Sequence, residues 1–261
     1  MRILSIAQNV PGPVAVARLA AEGAEVIKIE PPWGDQLETL CKPWYDELHA
    51  RVRVERLDLK TPEGMKQAWS ILGGCDVFLA SQRPSALKRL GLDYDSMQIA
   101  SYVHVCHVNI VGELSSPETP GHDLTYQARA GLVGGSLPLT LLADMAGAER
   151  AYWTIKEVAP LRGESRVVGL YDALSDLAAP LYHGLTAVGG PLGGRNPAYA
   201  VYATSDGAIA IGALEPHFRA RLYDGLALTD GADPSAVFKT KTSAEWEQWA
   251  AERDLPLVAV R

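Results

Sequence analysis

Residues 2–32 limit the fold more than any other part of the chain. RILSIA is a short apolar run that reads as a buried strand, and a Pro- and Gly-built turn over Asn9–Pro13 follows it. PVAVARLAAEG then reads as a helix closed by Gly23, and EVIKIE as a second strand stopped by Pro31 and Pro32. Strand, helix and strand in that order form a β-α-β unit, and short apolar strands of this kind sit in a parallel sheet covered by helices on both faces. The predicted class is α/β, with a doubly wound, Rossmann-like parallel sheet. The first turn holds PGP and lacks GxGxxG, so no NAD or FAD site is inferred.

The rest of the chain extends this pattern. Residues 33–54 read as irregular and aromatic, with Trp33, Trp44 and Tyr45 and a turn at Gly34 and Asp35. VERLDLKTPEGMKQAWSILGGCDVFLA gives a strand, a helix capped by Thr61 with Pro62 and Glu63 in its first turn, and another strand. Arg83 falls just past that strand's carboxyl end, where open α/β sheets bind ligands, and Lys88 and Arg89 follow on a short helix. The same three cations also fit a solvated helix face. The Val-rich SYVHVCHVNIVGE predicts a central strand, and RVVGLYDALSDLAAPLYHGL a strand followed by a helix.

From Val188 the composition shifts. A loop dense in Gly and Pro, GGPLGGRNPAY, precedes a hairpin-like pair turned at Asp206-Gly207; helical segments and a final strand-like LPLVAVR follow. The sequence therefore predicts a large α/β domain over 1–185 and a smaller α+β domain over 186–261.

A net charge of -7 argues against a nucleic-acid surface. Cys41, Cys75 and Cys106 are odd in number and widely spaced, and no signal or membrane-spanning run is evident, so a cytoplasmic protein without disulfides is expected. No HExxH or Cys/His cluster suggests a metal.

The chemistry is concentrated in PGHDLTYQARAGLVGGSLPLTLLADMAGA, residues 120–148. His122 and Asp123 open one apolar-periodic segment, and Asp144 opens a second that is expected to run to about Ala159. Two titratable groups at two helix starts can flank one reacting carbon, and free helix N–H groups can receive a developing oxyanion. Asp123 and Asp144 fit plain N-caps as well, and His122 a turn residue.

Six segments in register carry a resemblance to the class III CoA-transferase superfamily: GPVAVARLAAEGAEVIKIEPPWGD, LDLKTPEG, RPSALKRLGLDY, GHDLTYQARAGL, LLADMAGA and YATSDGAIAIGALEPHF. GHD, ADMAG and EPHF resemble the α-methylacyl-CoA racemase branch most. The resemblance implies an isomerase of lipid metabolism that moves the α-proton of an acyl-CoA through an enolate. His122 and Asp144 would be the acid/base pair, Glu215 would support the imidazole, and the helix start at Asp144 would hold the enolate oxygen. Coenzyme A, as part of the substrate and with no prosthetic group, would lie against Lys60, Arg83, Lys88 and Arg89, with Gly121, Asp123 and Tyr126 beside the pantetheine or thioester. Two alternatives stand beside this. One is a CoA-transferase with Asp144 as nucleophile, which GGPLGGR keeps open; the other is a non-catalytic CoA-binding homologue. The resemblance further implies a homodimer, interlocked in the family's manner, although the chain looks shorter at its C-terminus and reads RPS where the family has RPG.

Overall fold

All 261 residues are described by the computed structural model, and they divide into two units, Met1–Ala178 and Ala179–Arg261. The first begins with β1 (Arg2–Ser5), α1 (Pro11–Ala21) and β2 (Glu25–Glu30), with β1 and β2 paired in parallel from Arg2 opposite Glu25 to Ser5 opposite Lys28. The expected β-α-β unit is thus present. Gly23 follows α1 at φ 97°, a backbone state that glycine adopts without strain.

The chain continues through α2 (Gln36–Leu40), α3 (Lys42–His49), β3 (Arg53–Arg56), α4 (Pro62–Leu72), β4 (Val77–Ala80), α5 (Pro84–Leu90), α6 (Tyr94–Ile99), β5 (Cys106–Val111), α7 (Asp123–Arg129), α8 (Leu142–Val158), β6 (Ser165–Gly169) and α9 (Leu170–Leu177). The six strands form one all-parallel sheet in the order β3-β2-β1-β4-β5-β6. The strand expected to be central is β5; it is buried along its length between β4 and β6, but it lies second from the edge, and β1 and β4 are the central pair. Alternate residues face opposite sides. Ile3, Val77, Leu79, Val108 and Ile110 pack with α1 and α8, while Leu4, Ile27, Ile29, Phe78 and Ala80 pack with α4, α5 and α6.

Residues 33–54 depart from expectation, since most of them form α2, α3 and the start of β3 rather than an irregular segment. Asp35 caps α2 by accepting the Leu37 N–H at 3.0 Å, and Pro43 sits in the first turn of α3. Leu37, Trp44, Tyr45 and Leu48 pack with Val10 and Val14 at the start of α1. Both helices are too short for a period to stand out in the sequence.

Beneath these helices lies a buried ionic cluster. Lys28, fully buried, donates to Asp35 Oδ2 at 2.6 Å and His49 Nε2 at 3.0 Å and is ion-paired with Glu30 Oε1 at 2.9 Å. His49 Nδ1 lies 2.6 Å from the Tyr45 carbonyl, which can only accept, so that nitrogen carries the proton and Nε2 receives from Lys28. Burial and the adjacent Lys28 charge lower the His49 pKa and keep the ring neutral.

The second unit holds α10 (Ala179–Tyr182), a kinked turn at Pro191–Arg195, β7 (Tyr199–Ala203), β8 (Ala208–Gly212), α11 (Pro216–Leu226), α12 (Ser235–Phe238), α13 (Ser243–Ala251) and β9 (Leu257–Ala259). β7 and β8 form the expected antiparallel hairpin, and LPLVAVR supplies β9 against β8. Phe238, Trp246 and Trp249 form the core beneath this sheet, with Trp246 Nε1–H donating to the Phe238 carbonyl at 2.7 Å.

Substituting Lys28→Met leaves Glu30 and Asp35 buried without their cation. It is expected to cost about 3–5 kcal/mol in urea unfolding of the first unit, the range for half of a buried ion pair removed. A loss under about 1 kcal/mol would show that the cluster does not hold this corner together.

Candidate active site

The chain runs outward from β1 to β2 and β3, then returns to β4 on the other side of β1, so the direction of winding reverses between β1 and β4. Helices depart to opposite faces there and leave a crevice beyond the carboxyl ends of the strands. A cleft of about 280 Å³ occupies this end of the sheet. Gln8 and Asn9 follow β1, Ser81 and Arg83 follow β4, Gly112 follows β5 and Leu170 follows β6; Gly121, His122, Tyr126 and Asp144 complete the wall.

The loops around the cleft are stitched together. The Gln8 N–H donates to Ser81 Oγ at 3.1 Å, and Gln82 Nε2 donates to the Ile6 carbonyl at 2.8 Å. Asn9 has a left-handed backbone with φ 67°, and its N–H donates to both carboxylate oxygens of Asp35, at 3.0 and 3.1 Å. A strained backbone persists only where its surroundings fix it, and here the fixing group is held in turn by Lys28.

The loop from β5 to α7 is tied at three points. Glu113 receives both Arg129 nitrogens at 2.5 and 2.8 Å, which pushes its carboxyl down to about 2. The Leu114 N–H donates to Asp172 Oδ2 at 2.9 Å, and Glu118 accepts from the Ser85 N–H at 2.7 Å and hydroxyl at 2.8 Å. Tyr126 threads its phenol between Gly112 and Gly121. A Cβ on either glycine would lie 2.2 or 2.4 Å from its oxygen, so both positions require glycine. Burial, and then the Asp144 charge, raise the Tyr126 pKa, which keeps the phenol a donor.

His122 occupies the N-cap of α7 and is exposed to the cleft. Thr125 fixes its backbone, with Oγ1 accepting the His122 N–H at 3.1 Å and donating to the His122 carbonyl at 2.7 Å. Asp144 lies in the first turn of α8, whose extent matches expectation. Burial, and then the charge of Asp123, push its carboxyl up from 3.8 to about 7.

Of the ten residues singled out in the sequence, the cleft gathers Arg83, Gly121, His122, Tyr126 and Asp144. Asp123 is placed differently. It is buried, and Oδ1 accepts the N–H groups of Ala143 at 2.7 Å and Asp144 at 3.1 Å, so its carboxylate faces α8 rather than the cleft. The same bonds limit the expectation for the start of α8, because the amides of Ala143 and Asp144 are taken by Asp123 and are not free for an oxyanion. Lys60 and Arg89 border a separate groove between the start of α4 and the C-terminal half of α5. Lys88 is exposed on α5 and borders neither, and Glu215 is the exposed N-cap residue of α11 in the second unit.

Sequence reasoning passed over Asn9, Ser81 and Leu170. Asn9 carried a usable signal, an Asn just before PGP at the first strand's end, where a left-handed turn residue is accommodated. Ser81 and Leu170 carried none.

The raised pKa of Asp144 has a consequence for stability. The folded protein keeps a proton that the unfolded chain releases above 3.8, so this group makes stability fall as pH rises from about 4 to about 7. Asp144→Asn is therefore expected to gain on the wild type between about pH 5 and pH 8 in thermal or urea unfolding. Parallel curves for the two proteins would contradict this.

The profile of CoA-transferase family III matches residues 1–138. Alpha-methylacyl-CoA racemase of Mus musculus is 28% identical over 294 aligned residues, which cover 95% of this chain and 73% of that protein. Succinyl-CoA:glutarate CoA-transferase of Homo sapiens is 27% identical over 143 residues, covering 51% of this chain and 33% of the transferase, so the match spans a third of that relative's length. The crystal structure of a hypothetical protein from Mycobacterium tuberculosis shares the fold with a TM-score of 0.86 over 100% of this chain and 84% of that one, at 22% identity. With a family profile covering more than half of its length and a cleft at the switch point of the same fold, the chain belongs to CoA-transferase family III, whose relatives include both a racemase and CoA-transferases.

Proposed function

We propose that this protein moves the α-proton of an acyl-CoA thioester through an enolate, as a racemase or epimerase does. The observation that carries the reading is the pairing of His122 with Asp144 on one cleft, Asp144 having a pKa of about 7. A carboxyl that gains and loses a proton near neutrality is matched to acid/base work in both directions. His122 takes the α-proton, and the carbon's electron pair moves onto the thioester oxygen as the enolate forms. Protonated Asp144 then gives its proton to the opposite face, and the reverse reaction exchanges the two roles. Because Asp123 occupies the first amides of α8, the Tyr126 hydroxyl is the side-chain donor at the cleft best suited to the developing oxygen charge.

Arg83 at the cleft and Lys60 and Arg89 at the neighbouring groove supply cations suited to the phosphates of coenzyme A. The roles of Lys88 and Glu215, and a homodimer as the working assembly, rest on the resemblance alone.

The second reading is CoA transfer with Asp144 as nucleophile, favoured by the similarity to succinyl-CoA:glutarate CoA-transferase and by GGPLGGR. A nucleophilic carboxylate must be ionised, and a pKa near 7 leaves much of it protonated at neutral pH.

His122→Ala and Asp144→Ala, assayed separately for epimerisation of a 2-methylacyl-CoA and for CoA transfer to an added carboxylate, separate the readings. The enolate reading expects each variant to lose about 10²-fold or more in epimerisation. Transfer abolished by Asp144→Ala but kept by His122→Ala would replace it with the transferase reading, and full epimerase activity in both variants would overturn the site.

A further inference from the structure

Two carboxylates stand at the starts of α7 and α8, and only one of them opens on the cleft. A carboxylate in the first turn of a helix ordinarily gains from unpaired N–H groups and the helix dipole, both of which favour its ionised form. Asp144 is denied that help. The N–H groups of Ala143 and of Asp144 itself both donate to Asp123 Oδ1, and the Met145 N–H donates to the Leu141 carbonyl at 2.9 Å. The Asp144 carboxyl accepts no hydrogen bond from the protein.

Asp123, by contrast, is fully served. Gln127 Nε2 donates to its Oδ2 at 2.6 Å and to the Thr140 carbonyl at 2.9 Å, which ties the amide and the carboxylate to the chain entering α8. We infer that Asp123 is the positioning residue for Asp144: a buried anion that fixes the start of α8 against α7 and takes its amides, so that Asp144 faces the cleft as a proton-exchanging group rather than a permanent carboxylate. The inference rests on the acid/base reading of Asp144.

The other titratable groups bordering the cleft are Arg83, His122 and Tyr126. Of the helices packed on α8, α1 and its C-cap pair Arg18 with Glu149 and Glu22 with Lys156, and α9 pairs Asp176 with Arg150, all further along α8. Arg129 of α7 pairs with Glu113, and Asp172 of α9 accepts the Leu114 N–H. Asp123 is thus the charge that acts on Asp144 from the neighbouring helix, after burial itself.

The test is a carboxyl ¹³C NMR titration of the full chain labelled at aspartate, with Asp144→Asn assigning the signal, together with kcat and KM for an acyl-CoA. Asp123→Asn keeps an acceptor for the two amides and removes the charge, and it is expected to lower the Asp144 midpoint by about one unit and to move the acidic limb of kcat with it. Asp123→Ala removes the acceptor as well. It is expected to lose about tenfold or more in kcat, with KM within about twofold, and Asp123→Asn to recover most of that loss at the lower pH. An Asp144 midpoint unmoved in Asp123→Asn overturns the inference, and this variant decides the matter even where Asp123→Ala fails to fold. A moved midpoint in a protein that transfers CoA and exchanges no α-proton leaves the inference standing and sinks the enolate reading instead.

Discussion

One buried carboxylate, that of Asp123, sets the relation between the two helix starts that border the cleft. α7 places His122 at its N-cap and α8 places Asp144 in its first turn, and the bonds from Asp123 to Ala143 and Asp144 join them. A charge taken out of water is costly unless its oxygens are satisfied, and Asp123 has three donors within 3.1 Å. Neither helix start can move without breaking one of these bonds. Burial of Asp144, and then the charge of the satisfied Asp123 beside it, raise the Asp144 pKa.

The rest of the cleft is held just as firmly by parts of the chain far from the reaction. Lys28 holds Asp35, Asp35 holds the left-handed backbone of Asn9, and Asn9 borders the cleft. On the other side Glu113, Leu114 and Glu118 anchor the loop whose glycines grip Tyr126. Pre-set walls of this kind suit a reaction in which charge develops on an oxygen, because donors already in place need no reorganisation.

The sheet was legible because strands buried on both faces are dense in Val, Ile and Leu, as RILSIA, EVIKIE, VFLA and HVCHVNIVG are despite polar residues such as Lys28 and His107 within them. His122 and Asp144 were legible because titratable residues at helix starts are few and both fell inside one short stretch. The helices within 33–54 were not, because a five-residue and an eight-residue helix bury one side chain each, too few to show a period. Asp123 was placed on the wrong side for a different reason. Spacing fixes which residue opens a helix but not which way its carboxylate turns, and here it turns to the amides of α8, twenty residues on. The ring of ties on the β5–α7 loop was invisible for the same cause, since Ser85 and Glu118 meet only once the sheet has brought α5 beside that loop.

The central claim is that the cleft makes an enolate, and the most direct measurement is isotopic. The purified protein is incubated with acyl-CoA thioesters in deuterated water near pH 7, and the recovered thioesters are weighed by mass spectrometry. Deuterium at the α-carbon, entering without exchange of the CoA partner, is the expected result, because the proposed acid/base pair of His122 and Asp144 would exchange its protons with solvent. An α-carbon that stays fully protonated while CoA passes to an added carboxylate would contradict it and make Asp144 a nucleophile.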